Sequence, residues 1–356
     1  MLNLSIFAYK ATHMKILKYF FFLLLIVIIA GSIYIATKDG DYQIEETKVI
    51  TAPVEMVFQE VNEFKNWKNW EPWSAEADDM IIEYGTKTSG DSASYSWKSD
   101  SAGDGEIKTI SAKPYSKIEQ QISFITPYGE STSQAYWEFN EIENGTEVTW
   151  GIKGHQSFME KLAFTFQDES IAEMMRPMFQ KGLNNMQSVV LNKMDKYAIN
   201  VDGVIQHGGG YYMYTTTASK ISQVDEKMVP MFAEVSTYMD ENGIEKSGNP
   251  FVLYNEWNET SGTAIFSVGI FTPSEVITPA ESEILTGFIP NQKVLKTTLK
   301  GDYKNLKEAW DAAYNYIEEN ELEVLEDAHN FEVHLTSPDD VANPAKWITH
   351  LYIPVK

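Results

Sequence analysis

The residue most suggestive of chemistry is Glu332, in the segment Asn330-Phe331-Glu332-Val333-His334-Leu335. Read as a strand, alternation puts Phe331, Val333 and Leu335 on one face and Glu332 with His334 on the other. A carboxylate on the inward face of so apolar a strand is costly unless it meets a cation. On an outward face it is an ordinary solvated group, and both placements stay open at this level. As an enzyme residue, Glu332 would be a general base acting through water. Metal chemistry is not expected. His329, Glu332, His334 and His350 fall within 22 residues, but without HExxH or comparable spacing, and His329 and Glu332 sit on opposite strand faces. No G-x-S-x-G elbow supports a Ser-His-Asp set. The glycines at 208–210 neither precede Lys-Ser/Thr nor fit G-x-G-x-x-G opening a helix, so no phosphate loop and no cofactor are expected.

Composition narrows the classes further. The 356 residues hold 28 basic and 51 acidic side chains, a net charge of −23. So acidic a surface repels phosphate backbones, and no nucleic-acid role is expected. Arg176 is the one arginine, so multiple bidentate anion clamps are ruled out. Cysteine is absent, which removes disulfides, thiolate catalysis, Fe–S clusters and Cys-type zinc sites together. Its absence suits either side of a membrane.

Residues 19–36, YFFFLLLIVIIAGSIYIA, carry no formal charge. They are long enough for a membrane-spanning helix and long for a signal-peptide core. Lys10, Lys15 and Lys18 precede them; Lys38, Asp39 and Asp41 follow. This bias places the N-terminus in the cytoplasm and the rest outside, giving a single-pass protein of the cell membrane with extracytoplasmic soluble domains. A cleavable signal is the rival reading, because Ala30-Gly31-Ser32 is a tolerable small-x-small site. Met14 opens MKILKYFFF and is an alternative start.

The expected organisation is a tail and anchor at 1–40, one domain at 41–197 and a second at 198–356. In the first, a strand ends at 49–52, and Pro53 sits where a helix's first turn tolerates it. Val54, Val57, Phe58, Val61 and Phe64 then recur at helical spacing. From about 80 to 154, six segments of alternating apolar and polar residues read as an antiparallel sheet. Ser157 with Glu160 forms a capping-box signature before a short helix. Ile171, Met174, Met175, Met178, Phe179, Met186, Val189, Val190 and Met194 mark one face of a long helix that Pro177 must start or kink. Trp67, Trp70 and Trp73 fall at i, i+3, i+6, as packing or as ligand contacts. This stretch, through ITAPVEMVFQEVNEFKNWKNWEPW and the final helix, resembles the SRPBCC superfamily of polyketide-cyclase/START-like proteins. The resemblance implies a helix-grip fold with a hydrophobic ligand cavity.

After the glycines at 208–210 a β-α-β-β pattern occurs twice, an internal duplication. The first copy runs GYYMYTTTAS, a helix opening at Ser222-x-x-Asp225 and ending near Asn242-Gly243, then PFVLYNEWN and TAIFSVGIFT. The second runs KVLKTTLKG, a helix capped by Asp302 with an apolar face from Leu306 to Ile317, then FEVHLTS and WITHLYIPV. LKTTLKGDYKNLKEAWDAAYNYI with FEVHLTSP and WITHLYIPV resembles the GyrI-like effector-binding family. Gly301-Asp302-Tyr303 stands where that family commonly has Gly-Pro-Tyr, and His334 where an aromatic usually follows the strand glutamate. The whole is expected to be α+β: a transmembrane helix, a helix-grip domain and a duplicated GyrI-like domain.

The resemblance implies that Glu332 lies at the base of a cleft between the repeats, facing cationic amphiphilic ligands. Tyr254, Trp257, Tyr303, Trp310, His334 and Trp347 are the accompanying candidates, the ring faces supplying cation–π contacts. The expected partners are a hydrophobic or cationic small molecule and, through the N-terminal helix, a membrane. In regulators this domain is joined to a helix-turn-helix, and none is readable here. The leading expectation is a membrane-anchored binder or sensor without catalysis. Its rivals are a hydrolase of reactive electrophiles using Glu332, and a hydrophobe carrier working through the helix-grip cavity.

Overall fold

The computed structural model describes residues 2–126, 129–167, 169–338 and 340–356, with side chains from Leu17 onward except Thr126. Helix α1 (Leu2–Thr37) opens the chain. Its stretch Leu17–Thr37 is long and apolar enough to cross a membrane, and Phe20, Leu23, Ile26 and Val27 are exposed on it. The side chains of Lys10, Met14 and Lys15 lie outside the described residues. The protein is α+β and divides into two compact units, Met1–Val190 and Leu191–Lys356.

The first unit is built on an antiparallel sheet of β1 (Asp41–Ile50), β2 (Ile81–Tyr84), β3 (Ser94–Lys98), β4 (Asp104–Lys113), β5 (Lys117–Thr126), β6 (Gly129–Ile142) and β7 (Gly145–His155). Its order is β1-β7-β6-β5-β4-β3-β2, a meander whose last strand pairs with the first, Ile44 opposite Ile152. Pro53 precedes α2 (Val54–Asn62) with φ −56°, already suited to a helix, and α2 buries Val54, Val57, Phe58 and Val61. Glu63 turns extended, ends α2 and accepts the Lys65 N–H, so Phe64 opens a separate short helix, α3 (Phe64–Trp67). The Ser157–Glu160 capping box is formed at α4 (Phe158–Phe164). Pro177 lies inside α5 (Ile171–Met194) and neither starts nor breaks it. The buried face of α5 is Phe179, Gly182, Leu183, Met186 and Val190; Met174 is exposed. The methionine stripe is thus only partly the inner face. Gly182 carries the close approach instead, since a Cβ there would come within 2.8 Å of the Trp150 ring.

The second unit is an antiparallel sheet in the order β12-β9-β11-β10-β14-β15-β13-β8. Its strands are β8 (Ala198–His207), β9 (Gly210–Lys220), β10 (Pro250–Asn258), β11 (Thr263–Thr272), β12 (Leu285–Ile289), β13 (Gln292–Lys300), β14 (Asn330–His334) and β15 (Ile348–Pro354). Helix α6 (Val224–Glu241) follows β9 and α7 (Leu306–Glu319) follows β13. The repeats meet at β10 and β14, with Phe251 opposite Val333, Val252 opposite Glu332 and Leu253 opposite Phe331. Strands β8 and β12 lie outside the duplicated pattern. Gly209, at φ +71°, passes so close to the Ile289 carbonyl that a Cβ would stand 2.1 Å from it. The expected cap at Ser222 is not formed. The Ile221 N–H bonds the Gly262 carbonyl, Ser222 sits in a 3-10 turn, and α6 starts at Val224 without a side-chain cap. Asp302 does cap, accepting the Lys304 N–H in the 3-10 turn that leads into α7.

Candidate ligand-binding sites

Helix α6 lies over β9 and β11, and α7 over β13, β15 and β8. The two central strands, β10 and β14, are left for the gap between the helices. Alternation then decides what faces that gap. Phe251, Phe331 and Val333 join the core on the far face with Tyr212, Val294 and Tyr352. Tyr254, Glu332 and His334 stand on the helix face: the Tyr254 ring is 5.9 Å from Trp310 of α7, and His334 is 6.0 Å from Phe232 of α6.

Glu332 is 0% exposed. Tyr254 Oη donates to its Oε1 at 3.0 Å. His334 Nε2 is 3.5 Å from the same oxygen without forming a hydrogen bond to it. Among the described residues, Glu332 Oε2 and both His334 ring nitrogens have no hydrogen-bond partner, and no Lys or Arg pairs with Glu332. Buried polar atoms left unbonded are uncommon in folded proteins, because each costs about 1–3 kcal/mol. The rings around them are braced. Tyr303 is 5.0 Å from His334 and 4.8 Å from Trp347, its hydroxyl donating to the Thr336 carbonyl at 3.1 Å. Trp347 Nε1 donates to the Val341 carbonyl at 2.6 Å.

The carboxylate's charge registers on its neighbours. Burial, then the Glu332 charge and hydrogen bond, push the Tyr254 hydroxyl well above its ordinary pKa. Burial, then Glu332, with Asp302 and Asp340 behind it, push Tyr303 up to about 12. Asp225, on the first turn of α6, is raised by burial and then by Glu332, with His334 opposing.

Of the residues singled out in the sequence, Glu332, Tyr254, His334 and Tyr303 converge. Trp347 joins through Tyr303, and Trp310 through Tyr254. Trp257 is 45% exposed and touches Tyr254 edge-on from beyond a bulge between Tyr254 and Glu256, so it is at the rim. Phe232 and Asp225 were not foreseen; both sit on α6, whose start was misplaced by two residues. Among the described residues, no cluster of three His, Asp or Glu could hold a metal ion.

The first unit has a cavity of its own, about 340 Å³, lined among others by Trp67, Trp73, Tyr95, Trp97, Trp150 and Phe179. Trp150 stacks between Trp137 at 4.4 Å and Phe179 at 4.2 Å. Trp67 and Trp73 line the space, while Trp70 is buried beside it and donates Nε1 to the Glu60 carbonyl. Two of the three tryptophans thus line the cavity and the third packs beside it.

Residues 42–190 match the family described as polyketide cyclase / dehydrase and lipid transport, and residues 210–356 match the GyrI-like small molecule binding domain. The chain therefore carries an SRPBCC-type domain followed by a GyrI-like domain, and both domain types fit small-molecule binding. No curated protein matches it. Among solved structures, protein CV1439 from Chromobacterium violaceum is 12% identical, covering 42% of this chain and 96% of its own at a TM-score of 0.32. The EcmrR C-terminal domain is 18% identical, covering 45% and 98%, at 0.36. SAV2435, solved bound to tetraphenylphosphonium, is 14% identical, covering 45% and 94%, at 0.31.

Proposed function

We propose that this protein is a membrane-tethered receptor for small amphiphilic cations, whose recognition centre is Glu332 on β14. One observation carries the reading: a carboxylate wholly buried among aromatic rings, one oxygen unbonded, with no Lys or Arg of the described chain to neutralise it. Burial of a charge in that state is unfavourable, and an organic cation relieves it by Coulomb attraction at reduced dielectric. Tyr254, Tyr303 and Trp347 add ring faces that attract a cation but not an anion. Asp225 adds a second negative charge at the helix start, which favours cations further. The aromatic cavity of the first unit serves as a separate pocket for a small molecule, of a size found in ligand sites. The span within α1 tethers both units, and the lysines before it favour an extracytoplasmic location for them.

Mass spectrometry of small molecules released from the full-length, detergent-solubilised protein tests this reading. At least one cationic amphiphile retained by the wild type and lost from Glu332→Gln is the expected result. Only neutral lipids, retained equally by both, would contradict it. Consumption of a reactive electrophile by the wild type but not by Glu332→Gln would make the protein a hydrolase. Reporters active on one side of the membrane only, fused after Lys356, test the location; cytoplasmic activity would overturn the exported topology.

A further inference from the structure

We propose that the cavity of the first unit takes an alkylated ammonium ion, with Glu71 as its counter-charge and tryptophan and tyrosine rings as its walls. This rests on reading that cavity as a ligand site and adds the charge and substitution of the ligand. Among the described residues lining the cavity, Glu71 is the only charged one, and none is Lys, Arg or His. It is buried, and it is held in place by backbone donors: Trp73 N–H at 2.7 Å and Ser74 N–H at 3.2 Å. Those bonds fix the carboxylate without a neutralising cation. Rings surround the space it serves. Trp67 and Tyr95 are 6.1 Å apart, Tyr95 and Trp97 are 5.8 Å apart, and Trp73 and Trp150 are 5.4 Å apart. Burial and then the Glu71 charge push the Tyr95 hydroxyl above its ordinary pKa, so that charge reaches the cavity wall.

The lining also selects among cations. A primary ammonium or a guanidinium brings several N–H donors that the aromatic and aliphatic walls leave unbonded, whereas methyl groups on nitrogen match them. Tryptophan faces are the best cation–π partners, and such cages recognise quaternary ammonium. A zwitterionic phospholipid headgroup fits poorly, because its phosphate would find no basic side chain in the cavity and would face Glu71.

The test uses the full chain carrying Glu332→Gln, which removes the carboxylate of the other site, with phenyltrimethylammonium and its neutral carbon analogue tert-butylbenzene as probes. Calorimetry should show one bound cation, held at least tenfold more tightly than the neutral analogue. Adding Glu71→Gln should cut that preference about fivefold or more, leaving only what the ring faces contribute. Because Glu71 also holds the turn at Trp73, Trp97→Leu provides a variant that leaves those bonds alone; it should weaken the cation more than the neutral analogue. Equal binding of both probes before Glu71 is changed, or a preference undiminished by Glu71→Gln, overturns the proposal. Failure here is separable from failure at Glu332. If only the Glu332 site exists, the wild type binds one cation and Glu332→Gln binds none.

Discussion

Replacing Glu332 with methionine should stabilise the ligand-free protein while removing the second unit's response to cations. The carboxylate is fully buried and receives one hydrogen bond, from Tyr254. Desolvating such an ion costs several kcal/mol even after relaxation, and a hydrogen bond to a charged group returns about 1.5–3 kcal/mol. Methionine fills a similar volume without charge but orphans the Tyr254 hydroxyl, at about 1–3 kcal/mol. These terms nearly cancel, and replacing buried ionic groups by apolar ones of similar volume is typically neutral to stabilising by about 1–4 kcal/mol. A gain of about 1–2 kcal/mol is therefore expected, or about 2–8 °C in Tm for a domain of this size. The double variant with Tyr254→Phe removes the orphaned hydroxyl and should gain more. Scanning calorimetry of the full chain at pH 7, with and without a lipophilic monocation, reads both effects. The cation should raise the second unit's transition in the wild type by mass action and leave that transition unmoved in the methionine variant. A lower Tm in both variants would refute the argument, because the carboxylate would then be stabilising the fold.

Gly301→Ala should destabilise the second unit by more than about 1 kcal/mol, a loss readable as a lower Tm: Gly301 has φ +145°, and a Cβ there would stand 2.3 Å from the Tyr197 Cβ. The same strain should disturb Tyr303, two residues on, and weaken cation binding. Alkaline titration followed by phenolate absorbance should show a late-ionising class that includes Tyr136, Tyr212 and Tyr303, each pushed up to about 12 with burial the leading cause. Raised pKa values mean that the folded state keeps these protons longer than the unfolded state. Their contribution to stability is therefore full below the ordinary value of 10 and is lost as pH rises through about 12. Glu332→Met should move Tyr303 to a lower pH by removing one of the charges that hold it up.

The sequence revealed those parts of the fold that follow from periodicity. The six strand segments at 80–154 and both β-α-β-β copies alternate or repeat strongly enough to be read. Strands β8 and β12 belong to neither copy, and β8 runs into the glycines at 208–210, whose turn character masked it. The methionine stripe of α5 suggested the wrong inner face because Gly182 and Leu183, not Met174, approach the sheet; a helix's contact face depends on its partner as well as on its apolar count. Glu332 was legible because alternation places it opposite an apolar face. Phe232 and Asp225 were not, since they come to it only through the tertiary placement of α6. Glu71 gave no local signal: its neighbours read as a tryptophan motif, and the cavity around it is assembled from strands far apart in the sequence.

The central claim is that Glu332 recognises charge. Titration of the full chain with a lipophilic monocation and with a neutral ligand of the same shape, in wild type and in Glu332→Gln, tests it most directly. The glutamine keeps the side chain's shape and an acceptor for Tyr254. The cation's Kd at the second unit should rise about tenfold or more, equivalent to about 1.4 kcal/mol, while the neutral ligand's Kd stays the same. Equal weakening of both ligands would make Glu332 a shaping residue only, and no change in either would contradict the account.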